Sequence, residues 1–166
     1  ESAMPWSQVI PLYDAVVAAA NRAFDEIGIK GWIMAHMSHS YHSGACLYFT
    51  FSFVFGDDPL GEYDVVKRAI QQAFVDNGGS ISHHHGVGLE HSPWLEQDIS
   101  TQGVAVMRGL FEATDPKGTF NPHKVVPDAA PARGRRPASS TGSAAGTGMA
   151  TGTGTRTATR TVPASS

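Results

Sequence analysis

Between residues 45 and 55 the chain alternates strictly enough to constrain most of the fold around it. In an extended strand Leu47, Phe49, Phe51, Phe53 and Phe55 point one way, and Cys46, Tyr48, Thr50, Ser52 and Val54 the other. A face carrying four phenylalanines requires cover, and a helical layer supplies it. The mixed face is left to line a cleft or to meet a second domain.

The flanking segments supply the partners. Ile10, Tyr13, Val17, Ala20, Phe24 and Ile27 fall at a 3-4-3-4-3 spacing, one stripe of a helix that Gly28 stops. Gly31 to His39 is rich in strand formers and joins the alternating segment through Ser40-Tyr41-His42-Ser43-Gly44, which reads as a hairpin. After the turn Gly56-Asp57-Asp58-Pro59, a second amphipathic helix uses Tyr63, Val66, Ile70, Ala73 and Phe74 and ends at Asn77-Gly78-Gly79. Ser80 to Ser82 is expected to be a short strand. A last helix uses Ile99, Gly103, Val106, Met107 and Leu110 and closes at Asp115-Pro116-Lys117-Gly118. The order α-β-β-α-β-α describes an α+β fold, a mostly antiparallel sheet with helices on one face.

Composition divides the chain in two. Residues 1–127 have the apolar periodicity of one domain, whereas 128–166 are built almost wholly from Ala, Thr, Gly, Ser, Pro and Arg. Such a tail cannot bury enough apolar surface to offset its ordering entropy, and disorder is expected. The formal charge of −3 hides the same split. After Asp128 come Arg133, Arg135, Arg136, Arg156 and Arg160 and no acid, so the first part is distinctly acidic. That balance argues against a nucleic-acid partner and permits at most peripheral membrane contact. The longest apolar run, Cys46 to Phe55, is too short to span a bilayer and is broken by Thr50 and Ser52. A lone cysteine, Cys46, excludes an intrachain disulfide and suits a reducing compartment, so a cytoplasmic protein is expected. The opening Glu1-Ser2-Ala3 lacks an initiator Met and a leader pattern and reads as the interior of a longer protein.

The chemistry is concentrated in histidine. Six of eight fall in two groups, His36, His39 and His42 near the hairpin and His83, His84 and His85 before Gly86-Val87-Gly88. Imidazoles bind metals, move protons near neutral pH and donate to anions. No Cys-x-x-Cys or His-Glu-x-x-His spacing is present, and in an extended run His83 and His85 share a face while His84 turns away. No metal is therefore expected. Acid/base and anion-binding work on an organic substrate remains, with the glycines letting a bulky planar ligand or a phosphate approach the backbone. Tyr41, between His39 and His42, is a candidate acid/base if imidazoles surround its hydroxyl.

Three strings carry a resemblance: Met37-Ser-His-Ser-Tyr-His-Ser-Gly-Ala-Cys-Leu-Tyr-Phe49, Gly78-Gly-Ser-Ile-Ser-His-His-His-Gly-Val-Gly88 and Asp115-Pro-Lys-Gly-Thr-Phe-Asn-Pro122. Over about residues 8–126 the chain resembles the C-terminal part of the alkyldihydroxyacetonephosphate (alkylglycerone-phosphate) synthases, within the vanillyl-alcohol-oxidase type of FAD-linked oxidases. Hydroxy-acid oxidases of that type typically have Gly-Glu-His-Gly-Ile-Gly where this chain has the triple histidine, which favours the synthase branch.

The resemblance implies an FAD enzyme that exchanges the acyl group of an acyl-dihydroxyacetone phosphate for a fatty alcohol, without net redox, in ether-lipid synthesis. It assigns catalytic roles to Tyr41, His83, His84 and His85 and cofactor contacts to Gly86 and Asn121. His123 stands where the oxidases usually have Gly. The implied partners are a lipid-like phosphate substrate and a fatty alcohol, and a homodimer is compatible. Most of the FAD would be bound by an N-terminal domain outside this chain, which alone should be neither yellow nor active. Two other readings stand beside it, a flavin-linked oxidase or dehydrogenase of a small hydroxy acid or alcohol, and a non-catalytic metal- or anion-binding module.

Overall fold

The computed structural model describes residues 1–127, and the tail expected over 128–166 lies outside the described residues. Three strands, β1 (Ser2–Pro5), β2 (Lys30–Ser40) and β3 (Gly44–Val54), form an antiparallel sheet in the order β1-β3-β2. Two long helices, α1 (Val9–Glu26) and α2 (Pro59–Asp76), cover one face. The expected α+β class and the single helical layer are what the chain adopts.

The phase of α1 differs from expectation by about one residue. Its buried positions are Val9, Leu12, Val16, Ala19, Ala20, Ala23 and Phe24, whereas Ile10 is 65% exposed. Two neighbouring 3-4 stripes exist in this helix, and the inner one carries the alanines that let α1 approach α2 closely. Its end follows expectation. Gly28, at φ +69°, lets the Ile29 N–H reach the Phe24 carbonyl at 3.0 Å and its own N–H reach that of Asp25 at 3.2 Å. Helix α2 starts at Pro59, where the Asp58 carboxylate accepts the Gly61 N–H at 3.1 Å, and buries Val66, Ile70, Ala73 and Phe74 as the spacing predicts.

The expected strand at Ser80–Ser82 is not formed. Ser80 lies beside β1 but bonds it irregularly: its N–H donates to the Ala3 carbonyl at 3.0 Å, its Oγ accepts the Ala3 N–H at 3.0 Å, and its carbonyl accepts from Ser2 Oγ at 2.8 Å. The third strand is instead β1, four residues ending in Pro5, a length and residue suited to an edge and too short to betray itself by alternation.

A second apolar cluster lies beyond α2. Ile81, Trp94, Leu95 and Val104 are buried there, with Ile99 and Met107 packed against them. It joins two short elements, α3 (Gly88–His91) and the 3-10 turn Ser92–Trp94, to α4 (Leu95–Thr114). Helix α4 is interrupted at Ser100, whose φ of 72° breaks the helical path; beyond it Val104 is buried and Met107 packs on the cluster, while Val106 and Leu110, expected on the apolar stripe, are exposed. Among the described residues no helix is long and apolar enough to cross a membrane.

Candidate active site

The uncovered face of the sheet carries the chemistry, and a β-bulge sets its composition. In β2, Ile33 and Ala35 pair with Phe51 and Phe49 and pack toward the core, while Trp32, Met34 and His36 stand on the other face opposite Ser52, Thr50 and Tyr48. A regular strand would send His39 to the same side as Ile33 and Ala35. The register shifts between Met37 and His39, so that His39 pairs with Cys46 and joins His36 on the open face. Ser38, the extra residue, donates through Oγ to the Cys46 carbonyl at 3.4 Å.

Tyr41 is held at the hairpin by its backbone. Its N–H donates to the Gly44 carbonyl at 2.8 Å, and its own carbonyl accepts from the Trp6 indole at 3.1 Å. The ring lies parallel to His39, with centroids 6.1 Å apart. Its hydroxyl is 2.7 Å from His83 Nε2.

The triple histidine arrives from the other end of the fold on a pegged loop. Ile81 is buried in the second cluster, its carbonyl accepts from Gln71 Nε2 at 2.7 Å, and its N–H donates to Asp98 Oδ1 at 3.4 Å. From there the chain turns instead of extending, so all three imidazoles gather on the open face. His83 and His84 both meet His39, at 5.4 and 4.9 Å between centroids, and His85 meets Tyr48 at 5.5 Å. The expectation that His84 turns away is thereby corrected, because it assumed an extended backbone that this loop does not have. His42 is exposed in the turn and takes no part.

Beneath the loop lies a residue the sequence did not single out. The Glu1 side chain is 1% exposed; Oε1 accepts the His84 backbone N–H at 2.7 Å and lies 3.2 Å from His84 Nδ1, and Oε2 lies 3.9 Å from His85 Nε2. Burial pushes the Glu1 carboxyl up, but the His84 amide and the positive charges of His85 and His84 hold it below the usual carboxylate range. Burial, with the Glu1 charge, raises the Cys46 thiol, whose hydrogen points to Glu1 Oε2 at 3.8 Å. No sequence signal marks Glu1, which lies more than eighty positions from its histidines.

Two sets of side chains converge closely enough to share a cation, His39 with Cys46 and His83, and Glu1 with His84 and His85. In the second the carboxylate faces nitrogens that can donate, and in the first the thiol hydrogen points to Glu1 Oε2 at 3.8 Å.

Behind the loop, His91 braces the glycine turn. Its Nδ1 faces the carbonyls of Gly86 and Val87 at 3.1 and 2.9 Å, so Nδ1 carries the proton and Nε2 faces Lys67 Nζ at 3.3 Å. Burial and the Lys67 charge push the His91 pKa down against the pull of the two carbonyls, which keeps it neutral. Glu90 binds Lys67 at 3.6 Å and accepts the Tyr63 hydroxyl at 3.1 Å; burial and the Glu90 charge push Tyr63 up to about 12.

The sequence-derived residues thus fall into two places. Tyr41, His83, His84 and His85 form one contiguous group, with Gly86 next to it at φ +81° and its carbonyl tied by His91. Asn121, at φ +44°, belongs instead to the segment after α4, where it lines an open cleft with Arg108, Phe111 and Phe120. None of the ring contacts or hydrogen bonds of the histidine group described above reaches it.

Known proteins supply the context. The family of the C-terminal domain of FAD linked oxidases matches residues 1–125. The alkyldihydroxyacetonephosphate synthase of Dictyostelium discoideum is 38% identical over 115 residues, 69% of this chain and 19% of that protein, and its namesake from Trypanosoma brucei brucei is 32% identical over 128 residues, 76% and 21%. A crystal structure of an alkyldihydroxyacetonephosphate synthase superposes with a TM-score of 0.50 at 27% identity, covering 75% of this chain and 20% of that one. The chain therefore spans about a fifth of the length of these relatives.

Proposed function

Because the chain belongs to the family of the C-terminal domain of FAD linked oxidases, we propose that it is the substrate-side portion of an alkyldihydroxyacetonephosphate synthase, exchanging the acyl group of an acyl-dihydroxyacetone phosphate for a fatty alcohol. The observation that carries the reading is the 2.7 Å contact between the Tyr41 hydroxyl and His83 Nε2, set among the other imidazoles on the open face. In the exchange the acyl oxygen departs as a carboxylate with its bonding electrons, and the alcohol oxygen forms the ether bond and loses its proton. A phenol and an imidazole in contact can take that proton and pass it between them. The half-exposed rings of His84 and His85 are available to donate to the substrate phosphate.

FAD is the family's cofactor, and part of it suits what stands here. Trp32 and Met34 are half exposed on the same face as the imidazoles, and Ser82 Oγ is buried without a hydrogen-bond partner. An aromatic ring with polar edges fits such a surface. Its pyrophosphate does not, since among the described residues no Gly-rich turn leads from a strand into a helix at this face. Tyr41 and His83 to His85 would border the ring, with Gly86 and Asn121 as further proposed contacts. The bound flavin supplies an electrophilic, redox-active ring system. On this reading the enzyme is cytoplasmic and meets its lipid substrates at a membrane surface.

The test is turnover by a protein that joins this chain to an FAD-binding portion. Ether product and free fatty acid should form in equal amounts with no electron acceptor present. Turnover that needs an acceptor, with the flavin bleached by substrate under anaerobic conditions, would make the protein an oxidase instead. Ligand affinity retained with no turnover at all would leave a binding module.

A further inference from the structure

The loop that carries the triple histidine is fixed differently at its two ends. Where it begins, Ile81 is buried and both its N–H and its carbonyl are bonded. Where it ends, Gly86 and Gly88 take φ of +81° and +56°, and a side-chain carbon added at either would meet nothing within 4 Å. Packing therefore does not set the path of this turn, and its hydrogen bonds carry that task. They converge on one ring. Nδ1 of His91 lies 3.1 Å from the Gly86 carbonyl and 2.9 Å from that of Val87, and the Val87 carbonyl also accepts the His91 backbone N–H at 3.2 Å. Carbonyls only accept, so Nδ1 donates; an ammonium only donates, so Nε2 accepts from Lys67 Nζ at 3.3 Å. Both sides of the ring thus require the same neutral tautomer. Lys67 comes from α2, its side chain is largely covered, and it is held by Glu90 at 3.6 Å, whose other oxygen accepts the Tyr63 hydroxyl at 3.1 Å.

We propose that His91, oriented by Lys67, is a positioning residue for the active-site loop: by holding the Gly86 and Val87 carbonyls it sets where His85 and, through it, His84 and His83 stand. The inference rests on the functional reading above only for its use, which is to keep His83 within reach of the Tyr41 hydroxyl. The route is short. Gly86 follows His85 directly, and the three rings meet in series, His85 with His84 at 4.5 Å and His84 with His83 at 5.6 Å between centroids. His83 in turn lies 2.7 Å from the Tyr41 hydroxyl. A side chain that fixes the backbone beside a working ring acts without touching substrate, as the supporting partners of a site generally do.

The experiment is long-range nitrogen–proton NMR of the 166-residue chain labelled at histidine, recorded without substrate or cofactor at a pH where the imidazoles are neutral. It compares the parent with His91→Phe and His91→Gln. Parent His91 is expected to give the Nδ1–H signature, the minor form of a free imidazole. Phenylalanine keeps a ring in the space and loses both sets of hydrogen bonds; glutamine loses the ring but has an amide N–H for the carbonyls and an oxygen for Lys67. His91→Phe should therefore shift the ring signals of His83 and His85, and His91→Gln should return them toward their parent positions. A space-filling role would give the reverse order. That order, or equal displacement in both folded variants, overturns the proposal, as do unchanged signals in a folded His91→Phe protein. A parent His91 that is mainly Nε2–H overturns it whether or not the variants fold. Because the readout involves no turnover, the two readings fail separately: a loop held by His91 in an enzyme that proves to be an oxidase would sustain the brace and sink the synthase.

Discussion

On the side of the sheet that meets α1 and α2, Leu47 and Phe49 are buried, and Phe51 and Phe53 pack against the same core; on the other side the intervening Cys46 and Tyr48 meet Glu1 and His85. The first surface is held by apolar contact, which is non-directional and tolerant of small shifts. The second is held by named atoms at hydrogen-bond distance, as in the Tyr41–His83 pair and the bond from the His84 amide to Glu1. Adjacent residues of one strand thus serve stability and chemistry separately. Mutations on the two faces should have effects of different kinds, and the predictions run from the largest to the smallest.

The core face is most exposed to damage at Phe74, which is 1% exposed and packs on Phe49 with ring centroids 5.4 Å apart. Phe74→Ala should cost about 3–5 kcal/mol, read as a fall in the urea midpoint, a large share of what a domain of this size possesses. Should that variant remain as stable as the parent, the core face is not where stability resides. On the open face Tyr41→Phe removes only a hydroxyl from a half-exposed ring. Its urea midpoint should stay close to the parent value. In a protein complete with its FAD-binding portion its turnover should fall by about 10²–10⁴-fold, the ordinary contribution of a positioned acid/base. A variant that lost stability instead of activity would dissolve the distinction between the faces.

How much of this was legible in the sequence depended on distance along the chain. The alternation from Leu47 and the stops at Gly28 and Gly78 are local and hold in the structure, because pleat and helix termination are decided within a few residues, although β3 ends at Val54 and leaves Phe55, expected on the covered face, exposed. The phase of α1 was not local: Ile10 and Val9 are both credible core residues until α2 chooses between them. Ser80 shows the same limit, since it takes a place beside β1 through its side chain without becoming a strand. For the site, residue types and motifs brought out Tyr41 and the triple histidine. The bulge that turns His39 outward and the burial of Glu1 beneath His84 exist only after the fold brings residues 1, 39 and 84 together.

An intermediate effect tests the boundary where the sheet hands over to α2. Asp58→Ala removes the acceptor for the Gly61 N–H at the start of that helix. Its cost should be about 1 kcal/mol in urea unfolding, with no change in the Tyr41–His83 contact as seen in the NMR signals of His83. A change at His83 would mean that the helical layer and the open face communicate.

The smallest expected effect is a pH dependence that belongs to the brace behind the open face and not to the core. In the folded state His91 has a pKa below its ordinary value of 6.5, first because it is buried and then because Lys67 faces its Nε2. Between 6.5 and the lower folded value the unfolded chain therefore binds more protons than the folded one, so stability rises with pH across that window. The contribution is complete above 6.5 and is lost as pH falls through the folded pKa. Tyr63 works in the opposite sense at the other extreme: its folded pKa of about 12 lies above the usual 10, so its contribution is complete below 10 and fades as pH climbs toward 12. Glu1, held below its ordinary 4.5, adds a further loss on the acid side only under that value. Urea midpoints taken between about pH 7.5 and 5.5 should thus fall in the parent and fall less in His91→Gln, which keeps a side-chain donor near the Gly86 and Val87 carbonyls but cannot take up a proton. An equal fall in both proteins would assign the acid sensitivity to some other group and leave the brace electrostatically silent.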